Sequence, residues 1–151
     1  MHEAHLNIGS NQGDRMAYIA GAVALLSDRF EVTAVSDPVE SDPDGFESPY
    51  RFVNVGVTIK TDLDPLALLD ATQAIEKKVG SMPHRNADGT YRDRDIDIDI
   101  IYYDDLRIDT PRLTLPHPRL AGREFVRRPL TQINPLKAKQ LYDQEMESNK
   151  K

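Results

Sequence analysis

Cysteine is absent from this chain, which rules out disulfides, thiolate nucleophiles and cysteine zinc sites. No apolar run approaches the roughly 20 residues that cross a bilayer. The opening stretch, Met1-His2-Glu3-Ala4-His5, has no apolar segment behind a basic start, so no secretory signal is expected. Positive charge is also scarce. Lys and Arg number 19 against 25 Asp and Glu, leaving a net charge of −6. That balance argues against a whole-surface grip on nucleic acid. An acidic protein can still bind a nucleotide, but it must gather its basic residues locally. Of the 151 residues, 39% are hydrophobic and 29% charged, a mix that supports a packed core and argues against disorder. The length suits one domain over 1–151, with a frayed polar end. The expectation is a soluble, cytoplasmic protein.

Periodicity divides the chain into elements. Residues 4–9 alternate and read as a strand, with Ser10-Asn11 as a helix cap. Met16, Ile19, Ala20, Val23, Leu26 and Phe30 follow at helical spacing as one apolar stripe. Residues 31–36 read as a second strand, and the proline-rich, acidic stretch 37–50 as a long loop. Residues 51–60 form a strand with Val53, Val55, Val57 and Ile59 on one side and Phe52, Asn54, Gly56 and Thr58 on the other. Asp64 caps a helix with Pro65 in its first turn, and Gly80 stops it. Leu68, Ala71, Thr72, Ile75 and Val79 line its inner face. A polar loop spans 81–94, a strand 95–103, a loop 104–118, and short helices 119–128 and 135–147. Two strand–helix–strand units predict an α+β fold, a ferredoxin-like antiparallel sheet with helices packed on it.

Asp95, Asp97 and Asp99 project from one face of their strand, while Ile96, Ile98 and Ile100 enter the core. Carboxylates about 7 Å apart along a strand can share a pair of metal ions about 4 Å from one another. Oxygen ligands favour hard cations such as Mg²⁺. A solvated strand face fits the same pattern equally well. Phe52 and Asn54 share a face, an aromatic ring beside an amide that both donates and accepts. Together they suit a planar heteroaromatic ligand, although an ordinary polar face is the simpler reading. Arg85, Arg92 and Arg94 lie in or beside one loop, and Arg112, His117, Arg119 and Arg123 in another region. Arginine matches phosphate oxygens through its planar fork. Gly9-Ser10-Asn11 is no Walker loop, since the Gly-Lys-Ser/Thr ending is missing. Gln73 and Glu76 share a helix face.

These pieces occur together and in one order: Gly9-Ser10-Asn11, Phe52-Val53-Asn54, Gln73 with Ile75-Glu76, the run Arg94 to Ile100, Arg112-Leu113-Thr114-Leu115-Pro116-His117, then Arg123, Phe125 and Pro129-Leu130. In that order the chain, from about Leu6 to Leu130, resembles the 6-hydroxymethyl-7,8-dihydropterin pyrophosphokinases of folate biosynthesis. The resemblance implies transfer of pyrophosphate from ATP to a pterin alcohol. It implies that Asp97 and Asp99 hold two Mg²⁺ ions, with Arg94 and Arg123 also in the catalytic set. It further implies that Asn54 reads the pterin edge, that Phe52 and Phe125 sandwich the ring, and that Ser41, Pro43, Asp44 and Gly45 add contacts. Gln73, Glu76, Arg94, Ile100, Arg112, Thr114, His117 and Arg123 would surround ATP, and loops near 44–50 and 81–94 would be mobile and close over the substrates. The partners implied are small molecules, with no nucleic acid and no membrane.

The chain departs from the family pattern at several points. Ser81 stands where an arginine usually follows the helix, Tyr91 where a tryptophan is common, and Asp44 and Phe46 where the loop is usually small and apolar. Two other functions remain open at this level. One is a pterin- or nucleotide-binding module without turnover; the other is a magnesium-dependent phosphohydrolase.

Overall fold

A computed structural model describes residues 1–11, 14–41, 51–80, 96–118 and 122–148. Strand β1 (His2–Ser10) is the spine of its main sheet. Nearly every residue of β1 is buried, because partners flank it on both sides. It pairs antiparallel with β4 (Phe52–Thr61) and with β5 (Asp97–Tyr103). The far edge of β4 takes β2 (Glu31–Val35) and the three-residue β3 (Val39–Ser41), both antiparallel. The order β2-β4-β1-β5 is the ferredoxin-like arrangement that two strand–helix–strand units produce.

Helices α1 (Arg15–Arg29) and α2 (Pro65–Val79) cover one face. The alternating pattern sends Leu6 and Ile8 of β1, Val55, Val57 and Ile59 of β4, and Ile98 and Ile100 of β5 into a core with Ile19, Leu26, Leu68 and Ile75 of these helices. Helix α2 follows its sequence signals. Asp64 accepts a hydrogen bond from the Ala67 N–H, Pro65 opens the helix, and Gly80 closes it. Helix α1 does not. Its cap is Asp14, which accepts from the Ala17 N–H at 3.1 Å. Ser10 is still inside the sheet, paired with Val53, so neither it nor Asn11 opens the helix. The buried stripe of α1 is Ile19, Ala22 and Leu26. Ala20 and Met16 are exposed, and Val23 and Phe30 pack at its margin.

The C-terminal helices α3 (Glu124–Ile133) and α4 (Pro135–Ser148) add a layer on the opposite side. A register shift between His5 and Leu6 makes this possible. It leaves Ile101 as an extra residue on β5, so Ile101 and Tyr102 pack with Val126, Leu130, Ala138 and Leu141. Gly56 lets α3 approach β4, since a Cβ there would lie 2.9 Å from the Pro129 Cβ and 2.8 Å from the His5 ring.

Two stretches read as loops contain paired backbone. β3 lies within 37–50, and a small hairpin, β6 (Ile108–Asp109) with β7 (Thr114–Leu115), lies within 104–118. The helix expected over 119–128 begins at Glu124 and runs on to Ile133. Of the loop 81–94 and the stretch 42–50, nothing falls within the described residues. No described helix is long and apolar enough to cross a membrane.

Candidate functional site

On the sheet face away from α1 and α2, register sets polar residues in rows across three strands. Gly9 of β1 lies between Asn54 of β4 and Asp97 of β5. Asn7 lies between Gly56 and Asp99 in the next row. Each interstrand step is about 4.8 Å, so Asn54 and Asp97 stand about 10 Å apart across the glycine. Gly9 forms a floor that a larger residue would crowd. A Cβ there would lie 2.9 Å from Asn54 Oδ1 and 3.4 Å from the Phe52 ring.

Asn54 is 2% exposed and held on both sides. Its Nδ2 donates to Ser41 Oγ at 2.8 Å and to Val39 O at 3.3 Å, both on β3. Its Oδ1 accepts from Asn7 Nδ2 at 3.3 Å. Phe52 is half-buried at the end of β4. Phe125, in the first turn of α3, packs partly into the second core, with the Arg123 guanidinium 5.8 Å from its ring centre. Beyond Asn7 on the same face, His5 is fully buried. Burial drives its pKa down to about 3, so it is a neutral ring.

Asp97 and Asp99 are half-buried, and Ile96, Ile98 and Ile100 are buried, as the alternation requires. Among the described residues no group of three or more His, Asp or Glu side chains is placed to hold a metal. Two carboxylates on one strand therefore suit a hard cation that fills its remaining positions with water or substrate oxygens, which is how Mg²⁺ is commonly held.

Helix α2 approaches this end of β5. Glu76 Oε2 accepts from the Ile98 N–H at 3.0 Å, satisfying a backbone donor on the strand at the sheet's edge. A cavity of about 590 Å³ opens beside it, lined by Asp70, Gln73, Glu76, Lys77, Ile96 and Asp97. Arg112 reaches its rim by pairing with Asp70 at 2.7 Å. Thr114 and His117 line a different cavity, of about 550 Å³, with Arg107, Leu141 and Glu145. The His117 N–H donates to Ile101 O at 2.8 Å, fixing the hairpin against β5. The Ile100 side chain is 4% exposed and belongs to the core, so only its backbone can meet a ligand.

The structure thus joins Ser41, Phe52 and Asn54 at one end of the row, and Asp97 with Gln73 and Glu76 at the other. It sets Thr114 and His117 in a separate cavity. Arg94, Asp95 and Asp44 lie outside the described residues. Sequence reasoning missed Asn7 and Asp70. Asn7 sits two residues before Gly9, and period two alone places it on the site face.

Residues 5–135 match the family described as 7,8-dihydro-6-hydroxymethylpterin-pyrophosphokinase (HPPK). A protein of Porphyromonas gingivalis named 2-amino-4-hydroxy-6-hydroxymethyldihydropteridine pyrophosphokinase is 40% identical over 133 residues, covering 87% of this chain and 90% of that one. The protein of the same name from Bacillus subtilis is 42% identical over 132 residues, with 86% and 77% covered. The solved structure of an HPPK-DHPS in complex with substrates superposes with a TM-score of 0.64 at 15% identity, covering 97% of this chain. The Plasmodium falciparum HPPK-DHPS wild type gives 0.65 at 16% identity, covering 95%. The chain spans less than half of those two solved chains, 44% and 41%, and at such identity they show a shared fold.

Proposed function

The chain belongs to the 7,8-dihydro-6-hydroxymethylpterin-pyrophosphokinase family, and we propose that it transfers pyrophosphate from ATP to 6-hydroxymethyl-7,8-dihydropterin, a step of folate biosynthesis. The hydroxymethyl oxygen forms a bond to the β-phosphorus. The bond from that phosphorus to the α-phosphate oxygen breaks, AMP leaves, and the hydroxyl proton passes to solvent. The observation that carries this reading is the row Asn54–Gly9–Asp97. An amide for the ring edge faces a carboxylate across a glycine floor, and the span suits a bicyclic ring with a hydroxymethyl arm.

Each residue then has a physical task. Asn54 and Ser41 pair with the ring edge, and Phe52 and Phe125 stack on its faces. Asp97 and Asp99 would hold two Mg²⁺ ions, which would supply charge neutralisation at the phosphates and the attacking oxygen. Gln73 and Glu76 face the nucleotide from α2, with Arg112 at the cavity rim; Thr114, His117, Arg123 and Arg94 are assigned to the nucleotide, and Asp44 to the pterin, by their motif positions. Catalysis of this kind is mainly positioning and charge neutralisation. A cytoplasmic location and small-molecule partners belong to the same reading.

The test mixes the protein with hydroxymethyldihydropterin, ATP and Mg²⁺ and follows AMP, with Asp97→Ala as control. The expected result is pterin-dependent AMP that the variant loses by at least a hundredfold, as removal of a charge-stabilising group does elsewhere. Phosphate release without pterin would identify a hydrolase instead. Binding of both substrates without AMP would identify a binding module, with Ser81→Arg the next variant to make.

A further inference from the structure

Asn54 has no hydrogen left to give. An amide nitrogen carries two, and these go to Ser41 Oγ and Val39 O. A backbone carbonyl such as Val39 O only accepts, but it lies at 3.3 Å, and the shorter contact is to a hydroxyl that can donate as well as accept. The Asn54 nitrogen faces β3 and its oxygen faces Asn7. Asn7 Nδ2 donates to that oxygen at 3.3 Å and so holds the orientation from the other side. Asn7's own Oδ1 is buried and has no hydrogen-bond partner among the described residues, in a residue 3% exposed. An unmatched buried acceptor is destabilising. A small apolar residue at this position of the strand would avoid it, so the amide at Asn7 is a costly choice for the fold alone.

The donor that Asn7 supplies settles what Asn54 shows to a ligand. Asn54 Oδ1 overhangs Gly9, since a Cβ on that glycine would lie 2.9 Å from it. A carbonyl oxygen has two lone pairs. Asn7 uses one, and the other remains above the floor. Ser41 Oγ accepts from Asn54, so its own hydrogen is directed elsewhere. The two side chains therefore offer an acceptor beside a donor.

We propose that Asn7 is a positioning residue that locks the Asn54 amide with its oxygen toward the ligand, making the site selective for a lactam edge. This rests on the pterin reading above. A pterin presents an N–H beside a C=O, the complement of that pair. A 2,4-diaminopteridine presents a ring nitrogen acceptor beside an amine donor, the reverse polarity. A site built to hydrogen-bond one edge rejects the other because its own polar groups are left unpaired.

The variant Asn7→Asp keeps the shape and removes the donor. Two acceptors then compete for the Asn54 nitrogen, and the amide no longer holds one orientation. The experiment is calorimetry with Mg²⁺ and α,β-methylene-ATP present, which blocks the bond that breaks. Dissociation constants are measured for 6-hydroxymethylpterin and for 2,4-diamino-6-hydroxymethylpteridine. Wild type should prefer the lactam, and Asn7→Asp should move the ratio of the two constants at least tenfold toward the diamino compound. Asn7→Ala removes the donor without adding charge. It should move the ratio the same way, and it keeps the test decisive if the aspartate variant does not fold. A packing role alone would weaken both ligands alike, so an unchanged ratio in a folded variant overturns the proposal while the pterin reading stands. If wild type binds neither compound, the pterin reading fails and the proposal fails with it.

Discussion

Gln132 and Asp37 exchange two hydrogen bonds: the Asp37 N–H donates to Gln132 Oε1, and Gln132 Nε2 donates to Asp37 Oδ2, each at 2.8 Å. The pair joins α3 to the connection between β2 and β3 across 95 residues of sequence. Next door, the Ser36 hydroxyl accepts from the Gly56 N–H at 2.8 Å and ties the same connection to β4. β3 carries the two acceptors of the Asn54 amide nitrogen, and α3 carries Phe125. The clasp therefore fixes one wall of the proposed pterin site against the other.

Gln132→Ala should cut both bonds. The expected loss of stability is about 1–2 kcal/mol, since the pair is exposed and each such bond contributes about 1 kcal/mol net. The KM for pterin should rise several-fold while the KM for ATP stays unchanged. Thermal melting and initial rates with each substrate varied check this. An equal change in both KM values would mean that the clasp supports the fold generally and not one wall of the site.

Gly9→Ala and Gly56→Ala should differ in kind. Both add a Cβ into space already filled, at 2.9 Å from Asn54 Oδ1 in the first and 2.8 Å from the His5 ring in the second. Each should destabilise by about 1–3 kcal/mol. Only Gly9→Ala displaces Asn54, the group proposed to read the ligand, so only it should weaken pterin binding tenfold or more in protein that remains folded. Comparable pterin affinity in the two variants would remove the floor from the site.

The contrast between legible and illegible parts of the site has a physical basis. β5 announces itself because Asp and Ile alternate with period two, and the sheet uses that period. α2 is legible because Asp64-Pro65 and Gly80 act through bonds within the helix's own ends. The start of α1 misleads because Ser10 resembles a cap, yet β1 continues through it to pair with Val53. β3 has only three residues in a proline-rich stretch, and pairing with β4 is what makes it a strand. The same holds for side chains. Asp97 and Asn54 belong to motifs, whereas Asn7 and Gln132 matter through partners 47 and 95 residues away. No local pattern encodes such pairs. Glu76 shows both sides: its motif points to the nucleotide, and its bond to Ile98 is visible only once α2 is docked.

Arg112 pairs with Asp70 at 2.7 Å, with both side chains half-exposed. Exposed pairs contribute about 0–1 kcal/mol, so Arg112→Ala should leave the melting temperature within a few degrees. Its guanidinium should instead be felt by ATP. The KM for ATP should rise about ten- to a hundredfold, the scale of a charge-assisted hydrogen bond of 1.5–3 kcal/mol, with pterin affinity unchanged. Asp70→Asn releases the arginine without removing it and should leave ATP binding equal or tighter. A large loss of ATP affinity in Asp70→Asn would show that the aspartate holds Arg112 in its working position, the opposite of a competitor.

His5 should make the stability of the fold depend on pH. Its Nδ1 meets Thr58 Oγ1 at 3.1 Å, its ring stacks on Tyr102 at 6.0 Å, and burial lowers its pKa from 6.5 to about 3. The folded protein therefore keeps His5 neutral down to about pH 3, while the unfolded chain takes up a proton below 6.5. The unfolded state binds more protons in this window, so stability must rise with pH across it. Between pH 7 and pH 5 the loss should be about 2 kcal/mol. Asp104 acts in a lower window. Burial pushes its carboxyl up, but the Glu3 N–H and the His2 ring more than offset this, and its pKa ends below 3.8. Its contribution is present above 3.8 and is lost only as pH falls through the lower folded value, below the window in which His5 acts. Urea unfolding of wild type and His5→Phe at pH 5, 6 and 7 separates the two groups. The variant should show a flatter pH dependence across that range, whatever its absolute stability. Parallel pH profiles would mean that the His5 ring takes up its proton in the folded state, and that the interface between the sheet and α3 is open to water.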